Sequence, residues 1–470
     1  MRSTFRHTES AGMQRTSPDV CQLALSDVQS LAYSALRMKT AGVNQGVQRG
    51  MQKQYQVLRN YLHEIWSQGI DVASSDIFFL SDFRIDLKEH PLHESMAKRL
   101  RDIDRSWHLS EYGNTSGDIF VRKALARLEN ARLGTDLYSI DNVMVTLGAT
   151  GATSMIYKGF LRPGSRLLMI PPIYYVFAGA AEQLGMTVDM MDVVRENDFL
   201  PTVDAFEAAL NSHDYDLVLI TNPTYPIGRV YPPELLFGVL DSIAAYNRKH
   251  PCIAVLDEVY AQLAFHQDKI RYGPHLADYD FVIRTNSMSK SLGTAGLRLG
   301  YFCAHPRLCE HVHEGTGWRV MDFLNDLGDL EYGTPPPVFG PYVEAACEFF
   351  RSARLDGESD EAAFWQSNLA RYWDKYQVAK AMIDDAGLDY IEPETAFSLM
   401  VELRGAKTPQ DQFEMFKRLL AAKRVYALPG ALYRLPDHAK PAMVRVSFGQ
   451  TESLLREGLA RALDFWMNGQ

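Results

Sequence analysis

Cysteine is scarce in this sequence, and what there is does not pair. Five residues (Cys21, Cys252, Cys303, Cys309 and Cys347) are scattered through 470, an odd number with no Cys-x-x-Cys spacing. That excludes a disulfide framework or a zinc ribbon and fits a reducing compartment. No run of about 18 apolar residues occurs, so no membrane-spanning helix is expected. The start, Met1-Arg2-Ser3-Thr4, has no apolar stretch ahead of a small-residue cleavage site, so no secretory signal is read. Basic charge is in deficit: 48 Lys and Arg face 58 Asp and Glu, a formal net charge of -10, which argues against general nucleic-acid binding. Apolar residues are not lacking. At 46% they are an ordinary globular share, which excludes wholesale disorder and a fibrous fold. The expectation is a cytoplasmic enzyme, either roughly two to four domains or one large α/β unit with an appendage.

Residues 1–17 are rich in Ser, Thr and Arg without periodicity, and disorder is expected there. Proline is absent from Val20 to Gly69. There Leu23, Leu25, Val28, Leu31 and Leu36, then Val57, Leu58, Leu62 and Ile65, predict two helices broken near Gly42 and Gly46. Residues 1–75 carry eight Lys and Arg against five Asp and Glu, a mildly basic arm on an acidic body, read as covering a neighbouring subunit. From Glu111 strands and helices alternate. Strands are expected at 142–147, 165–170, 187–192, 216–221, 253–257, 280–284 and 298–302, with helices of ten or so residues between most of them. That pattern means βα units in a mostly parallel sheet, with ligands at the carboxyl ends of the strands. The loops after Leu147, Ile170, Thr221, Asp257 and Arg284 are therefore the places to look. Beyond Gly340 the chain turns helical, with a strand pair near 397–403 and 443–448, a smaller α+β lobe.

Those loops hold the reactive residues. Ser287-Met-Ser-Lys290-Ser-Leu-Gly293 places a lysine past a strand end among hydroxyls and glycines, with Arg298 eight residues on. A nucleophilic lysine needs such a restricted, partly desolvated setting, and a phosphate monoester suits serines beside a fixed arginine. Taken alone, the lysine reads equally well as a surface residue in a polar turn. Val255-Leu-Asp257-Glu258-Val-Tyr260 puts an acid at a strand end, able to hold a proton on a pyridine nitrogen or merely to cap a helix. Gly148-Ala149-Thr150-Gly151 opens a helix and lets backbone N–H groups face an anion, though it matches neither the dinucleotide nor the P-loop spacing. Asn222-Pro-Thr-Tyr225-Pro-Ile-Gly228 is a rigid turn, and Pro171-Pro-Ile-Tyr174 offers an aromatic.

Together these motifs, in this order, resemble the aspartate-aminotransferase superfamily, the class I/II branch of the fold-type I enzymes that use pyridoxal 5′-phosphate (PLP). The resemblance runs from about Glu111 to the C-terminus. It implies a large domain with a mostly parallel seven-stranded sheet and a smaller α+β C-terminal domain, divided here as an extension (1–75), a PLP-binding domain (76–335) and a small domain (336–470). It further implies that Lys290 carries the cofactor as a Schiff base and later moves the proton between the substrate Cα and the cofactor. Asp257 then pairs with the pyridinium nitrogen, Tyr260 donates to the phenolic oxygen, and Tyr174 stacks on the ring. Gly148, Ala149, Thr150, Ser287 and Arg298 occupy the phosphate-cup positions. Tyr112, in Glu111-Tyr-Gly-Asn-Thr-Ser-Gly117, matches a tyrosine that reaches the phosphate of a neighbouring subunit, which implies a homodimer with shared active sites. Arg445, in Val444-Arg-Val-Ser-Phe448, matches the arginine that grips the substrate α-carboxylate. Asn222 and Tyr225 fall on the cofactor side, although the counterpart of Asn222 is usually structural. Tyr225 departs from the family, which has asparagine there. A tyrosine hydroxyl can reach the phenolic oxygen, or the ring can pack aside and leave that contact to Tyr260.

The implied function is an enzyme acting on a free α-amino acid, with transamination the default reaction. A lyase, cyclase or replacement enzyme at Cβ or Cγ shares these motifs, as in 1-aminocyclopropane-1-carboxylate synthases, and stays open. A ligand-sensing regulator with an aminotransferase-like domain is less well supported, because residues 1–75 leave little room for a winged helix and linker. His311 and His313, near His305, share no helix face and no Cys or Asp completes a set with them, so no metal is expected. Leu324 to Pro337, acidic and then proline-rich, reads as a lid or as a stiff connector.

Overall fold

Strands come first, because the chemistry hangs on their ends. In the computed structural model a two-residue strand, β1 (Phe78–Phe79), precedes seven that form one sheet. These are β2 (Val143–Leu147), β3 (Arg166–Met169), β4 (Thr187–Met190), β5 (Leu217–Thr221), β6 (Ile253–Asp257), β7 (Val282–Ser287) and β8 (Leu299–Ala304). Their order is β2-β8-β7-β6-β5-β3-β4; only β8 runs antiparallel to its neighbours. β5 is buried along its whole length, as the unbroken run Leu-Val-Leu-Ile-Thr requires of a strand covered on both faces. The structure describes residues 55–67, 69–70, 76–81, 85–313, 315–355, 357–403, 408–435 and 442–468. All lie in the compact unit Arg49–Gln470. The helix expected around residues 23–36 lies outside the described residues. The one expected around 57–65 is present as Tyr55–Ser67.

Local chemistry sets where the helices begin and end. Asp118 caps Ile119–Leu133 by accepting from the Phe120 N–H at 2.7 Å, and Gly134 closes it in the left-handed conformation at φ 69°. Pro233 occupies the first turn of Pro233–Tyr246, where its missing N–H costs nothing. Two expectations change. β7 continues past Arg284 to Ser287, because Thr285 and Asn286 pair with Phe302 and Tyr301 of β8. And much of the segment expected as a lid or connector is a helix, Val320–Tyr332, whose Leu324 is fully buried against Gly159.

The C-terminal part carries β9 (Tyr390–Ile391), β10 (Ser398–Leu403), β11 (Val425–Tyr426) and β12 (Ala442–Ser447). The expected late strand pair is β10 against β12, antiparallel, with Met400 opposite Arg445. β1 pairs in parallel with β11, and Asp86 donates its N–H to the Gly449 carbonyl at 2.9 Å. Residues 78–81 and Asp86, expected at the start of the large lobe, therefore join the C-terminal elements.

Candidate active site

The carboxyl ends of β2, β5, β6 and β7 open on a cavity of about 290 Å³, near the lower end of ligand pockets (roughly 300–1,000 Å³). Ten of the expected residues line it: Gly148, Ala149, Thr150, Tyr174, Tyr225, Asp257, Tyr260, Ser287, Lys290 and Arg298. Phe177, Val259, Ser289 and Ala295 complete the wall.

One end is built for an oxyanion. The helix Gly148–Phe160 starts directly after β2, so its free N–H groups and positive dipole end face the cavity. Gly148 sits at φ 74°, and a Cβ there would lie 2.7 Å from Arg298 Nη2. Gly300 on β8 is tighter still, because its Cβ would fall 2.2 Å from the Gly148 carbonyl carbon. Glycine at both places lets the helix end and Arg298 close on one spot. Arg298 is itself held by donating to the carbonyls of Ala295 (2.9 Å) and Leu147 (3.3 Å). Ser287 caps the short turn Met288–Ser291, which carries Lys290; its Oγ donates to the Leu299 carbonyl at 2.8 Å and accepts from the Ser289 N–H at 3.1 Å.

The other end is a buried acid among aromatics. Asp257, 4% exposed, accepts from Thr285 Oγ1 at 3.0 Å and has no basic partner among the described residues. Burial pushes its carboxyl up to about 7, against the opposing pull of the Thr285 hydrogen bond. Tyr225 stacks on Tyr260 with ring centroids 5.1 Å apart and meets Tyr174 edge-on at 6.2 Å. Burial raises the hydroxyl pKa of both Tyr225 and Tyr260, so both rings are neutral donors at physiological pH. Lys290 Nζ lies 5.9 Å from the Phe397 ring centroid.

Three expected residues do not line the cavity. Arg445, fully buried on β12, lies behind Tyr225, with Cζ 5.3 Å from that ring's centroid and 5.9 Å from that of Phe397. Its Nη1 donates to the Ser81 carbonyl at 3.0 Å. Asn222 is a support: its Oδ1 accepts from the Tyr231 N–H at 2.9 Å and its Nδ2 donates to the Tyr272 hydroxyl. With its amide spent in this way, it braces the turn. Tyr112 is 95% exposed and does not line this chain's cavity.

Sequence reasoning missed a buried ring of charge beside the site. Arg284 forms ion pairs with Glu129 at 2.7 Å and Glu258 at 2.6 Å, and Arg132 pairs with the same two at 2.9 and 3.1 Å. Tyr301 adds a hydroxyl to Glu129 at 2.6 Å. The available signal was slight: Arg284 ends the apolar run Phe281-Val-Ile, and Glu258 follows the apolar run of β6 by one residue. His311 and His313 take part in no candidate metal cluster among the described residues.

The model of the family "aminotransferase class I and II" matches residues 81–461. Aspartate aminotransferase of Thermotoga maritima is 24% identical over 355 residues, covering 76% of this chain and 83% of that protein. Histidinol-phosphate aminotransferase of Streptomyces avermitilis is 30% identical over 173 residues, 37% of this chain and 45% of that one. The solved structure of aspartate aminotransferase from Thermus thermophilus with maleate superposes with a TM-score of 0.71 at 19% identity, over 90% of this chain and 99% of that one, a likeness of fold.

Proposed function

Because this chain belongs to the class I and II aminotransferases, a PLP-dependent family of fold type I, we propose that its cavity holds PLP and that the enzyme transfers the amino group of a free α-amino acid. What carries the reading is convergence. Residues from separate strand ends bring a helix N-terminus with a fixed arginine, a lysine and an uncompensated buried carboxyl to one cavity. The group fits: the Gly148 and Gly300 approach leaves a cradle that a side chain would fill, and Asp257 lacks the cation that a protonated ring nitrogen provides.

Gly148, Ala149, Thr150, Ser287 and Arg298 would hold the phosphate, Asp257 the ring nitrogen, Tyr260 the phenolic oxygen, Tyr174 a ring face and Lys290 the aldehyde carbon. When bound, the cofactor supplies an electron sink for the pair left when a bond to the substrate Cα breaks. Asp257, ionised once it faces a cation, keeps that sink charged. Arg445, which lies behind Tyr225, would orient the substrate carboxylate through a bidentate contact once that ring shifts, which favours loss of the Cα proton over loss of the carboxylate. The Lys290 amine would take up that proton from the substrate Cα and hold it for return. Tyr225, stacked on Tyr260 and set against Arg445, links the two ends of the site, while Asn222 braces the turn that presents it.

Tyr112 serves a second copy, so the reading includes a homodimer with shared active sites. It also keeps the large lobe at 76–335 and the small lobe at 336–470, with 78–81 and Asp86 returning to the latter. No helix among the described residues is long and apolar enough to cross a membrane, and a cytoplasmic location belongs to the same reading. The test is a panel of amino acids supplied with and without an oxo-acid acceptor. Transamination moves the cofactor absorbance from the visible to the near ultraviolet in the first half-reaction and restores it when the acceptor is added. Product formed with no acceptor consumed would place the enzyme among the lyases instead.

A further inference from the structure

We propose that a second cavity, at the C-terminal end of the helix Ile119–Leu133, binds a small dianion: a free phosphate, a phosphate monoester or a dicarboxylate. It measures about 130 Å³, several times the roughly 10–15 Å³ that one water needs, and shares no lining residue with the catalytic cavity. Arg132, Arg271 and Arg354 line it with Gln262, Gln267 and Gln366, and no carboxylate does so among the described residues.

Charge counting sets the ligand class. Arg132 belongs to the ring in which two guanidiniums meet two carboxylates, so it is already balanced. Arg271 and Arg354 are surplus, with no ion pair to a carboxylate among the described residues. Arg354 is also held in place, its Nε and Nη2 donating to the carbonyls of Ala131 (3.2 Å) and Arg132 (2.7 Å). Burial first, and then the like charges of Arg132 and Arg271, push its pKa down to about 10, a repulsion that an anion between them would relieve. Helix capping alone accounts for Arg354. It does not account for Gln262, which lines the same cavity at 9% exposure with an Oε1 that accepts no hydrogen bond. The two ends of an amide are interchangeable by a flip, so Gln262 can turn an NH₂ donor toward an oxyanion. Two surplus guanidiniums match two negative charges, and the volume limits the ligand to a small head group.

The test is calorimetric titration of inorganic phosphate, glycerol phosphate and malonate into the PLP-loaded enzyme at constant ionic strength, so that the catalytic cradle is already filled. Saturable binding of at least one of them is expected, weakened tenfold or more by Arg271→Ala and less by Arg271→Lys. The thermal midpoint without ligand should not move, because the exposed Arg271 side chain has no bonded partner among the described residues. Gln262→Leu supplies a second variant and should also weaken binding. The order of the three probes separates free phosphate, monoester and dicarboxylate. Binding that does not saturate, or that is equally tight in wild type and Arg271→Ala, overturns the proposal. An enzyme that takes up no PLP would sink the catalytic reading yet leave the Arg271 dependence to be read on the protein as purified.

Discussion

Asp257 and Glu258 are consecutive, both buried at the end of β6, and they meet opposite surroundings. Asp257 faces the cavity with one hydroxyl donor and no guanidinium, and its carboxyl rises to about 7. Glu258 faces the other way, into a ring shared with Glu129, Arg132 and Arg284. In that ring burial by itself would raise Glu129, but Arg132 and Arg284 outweigh it and hold it down to about 2. Burial is common to both sides; the presence of a fixed counter-charge is what differs. A buried acid without one is poised to receive a cation from a ligand. A buried acid with two is structural, and removing a member strands the rest.

The contrast can be broken at several points. Lys290→Ala should have the largest effect, a loss of amino transfer on the order of 10²–10⁴-fold or more, read in single turnovers. Asp257→Asn should follow, at roughly 10²–10³-fold in kcat, comparable with losing one preorganised charge-stabilising group. Its stability should not fall, because the replaced carboxyl was unpaired with any cation. Glu258→Gln should do the reverse. It leaves two guanidiniums sharing one carboxylate and should cost about 3–5 kcal/mol in chemical unfolding.

The pH dependence of the cofactor-free protein separates Asp257 from the ring through Glu129, which shares Arg132 and Arg284 with Glu258. Asp257 has a raised folded pKa, so its contribution to stability is complete below the ordinary 3.8 and is lost as pH rises through about 7. Glu129 has a lowered one, so its contribution is present above 4.5 and is lost as pH falls toward about 2. Denaturant midpoints of Asp257→Asn should therefore flatten the slope between pH ~4 and ~7 and leave the acid limb untouched. The smallest effect is expected at Tyr225. Tyr225→Phe keeps the stack on Tyr260 and the ring beneath Arg445, and should change KM little. Tyr225→Leu removes a cation–π contact of roughly 0.5–2 kcal/mol and should raise KM about 2- to 30-fold with a smaller change in kcat. Equal losses in Phe and Leu variants would assign the role to the hydroxyl instead.

The strands were readable because parallel strands covered on both faces must be apolar runs, and 216–221 and 253–257 are such runs. Lys290 and Asp257 were readable because they stand at or just past a strand's carboxyl end, where ligands bind in this architecture, and Arg298 because it comes eight residues after that lysine. What stayed hidden was hidden for physical reasons. Arg284 ends an apolar run and looks like a strand terminus, yet β7 passes through it because β8 supplies the next hydrogen bonds. Two-residue strands such as β1 carry no periodicity, so the return of Phe78 and Phe79 to β11 and of Asp86 to Gly449 had no local signal. Asn222 could be placed in its turn but not assigned to Tyr231 and Tyr272, which lie 9 and 50 positions away.

The sequence by itself determined the order of strands and helices, the family, and which residue types stand at the strand ends, since these depend on local periodicity and short motifs. The tertiary structure decided which of those residues share a cavity, that Tyr225 packs between Tyr260 and Arg445, and that Glu258 is paired while Asp257 is not. It also decided that Arg132, Arg271 and Arg354 meet, from three separate stretches of chain. The reason is range. Propensity and motif spacing act over a few residues, whereas burial and counter-charge depend on neighbours that only the packed chain brings together.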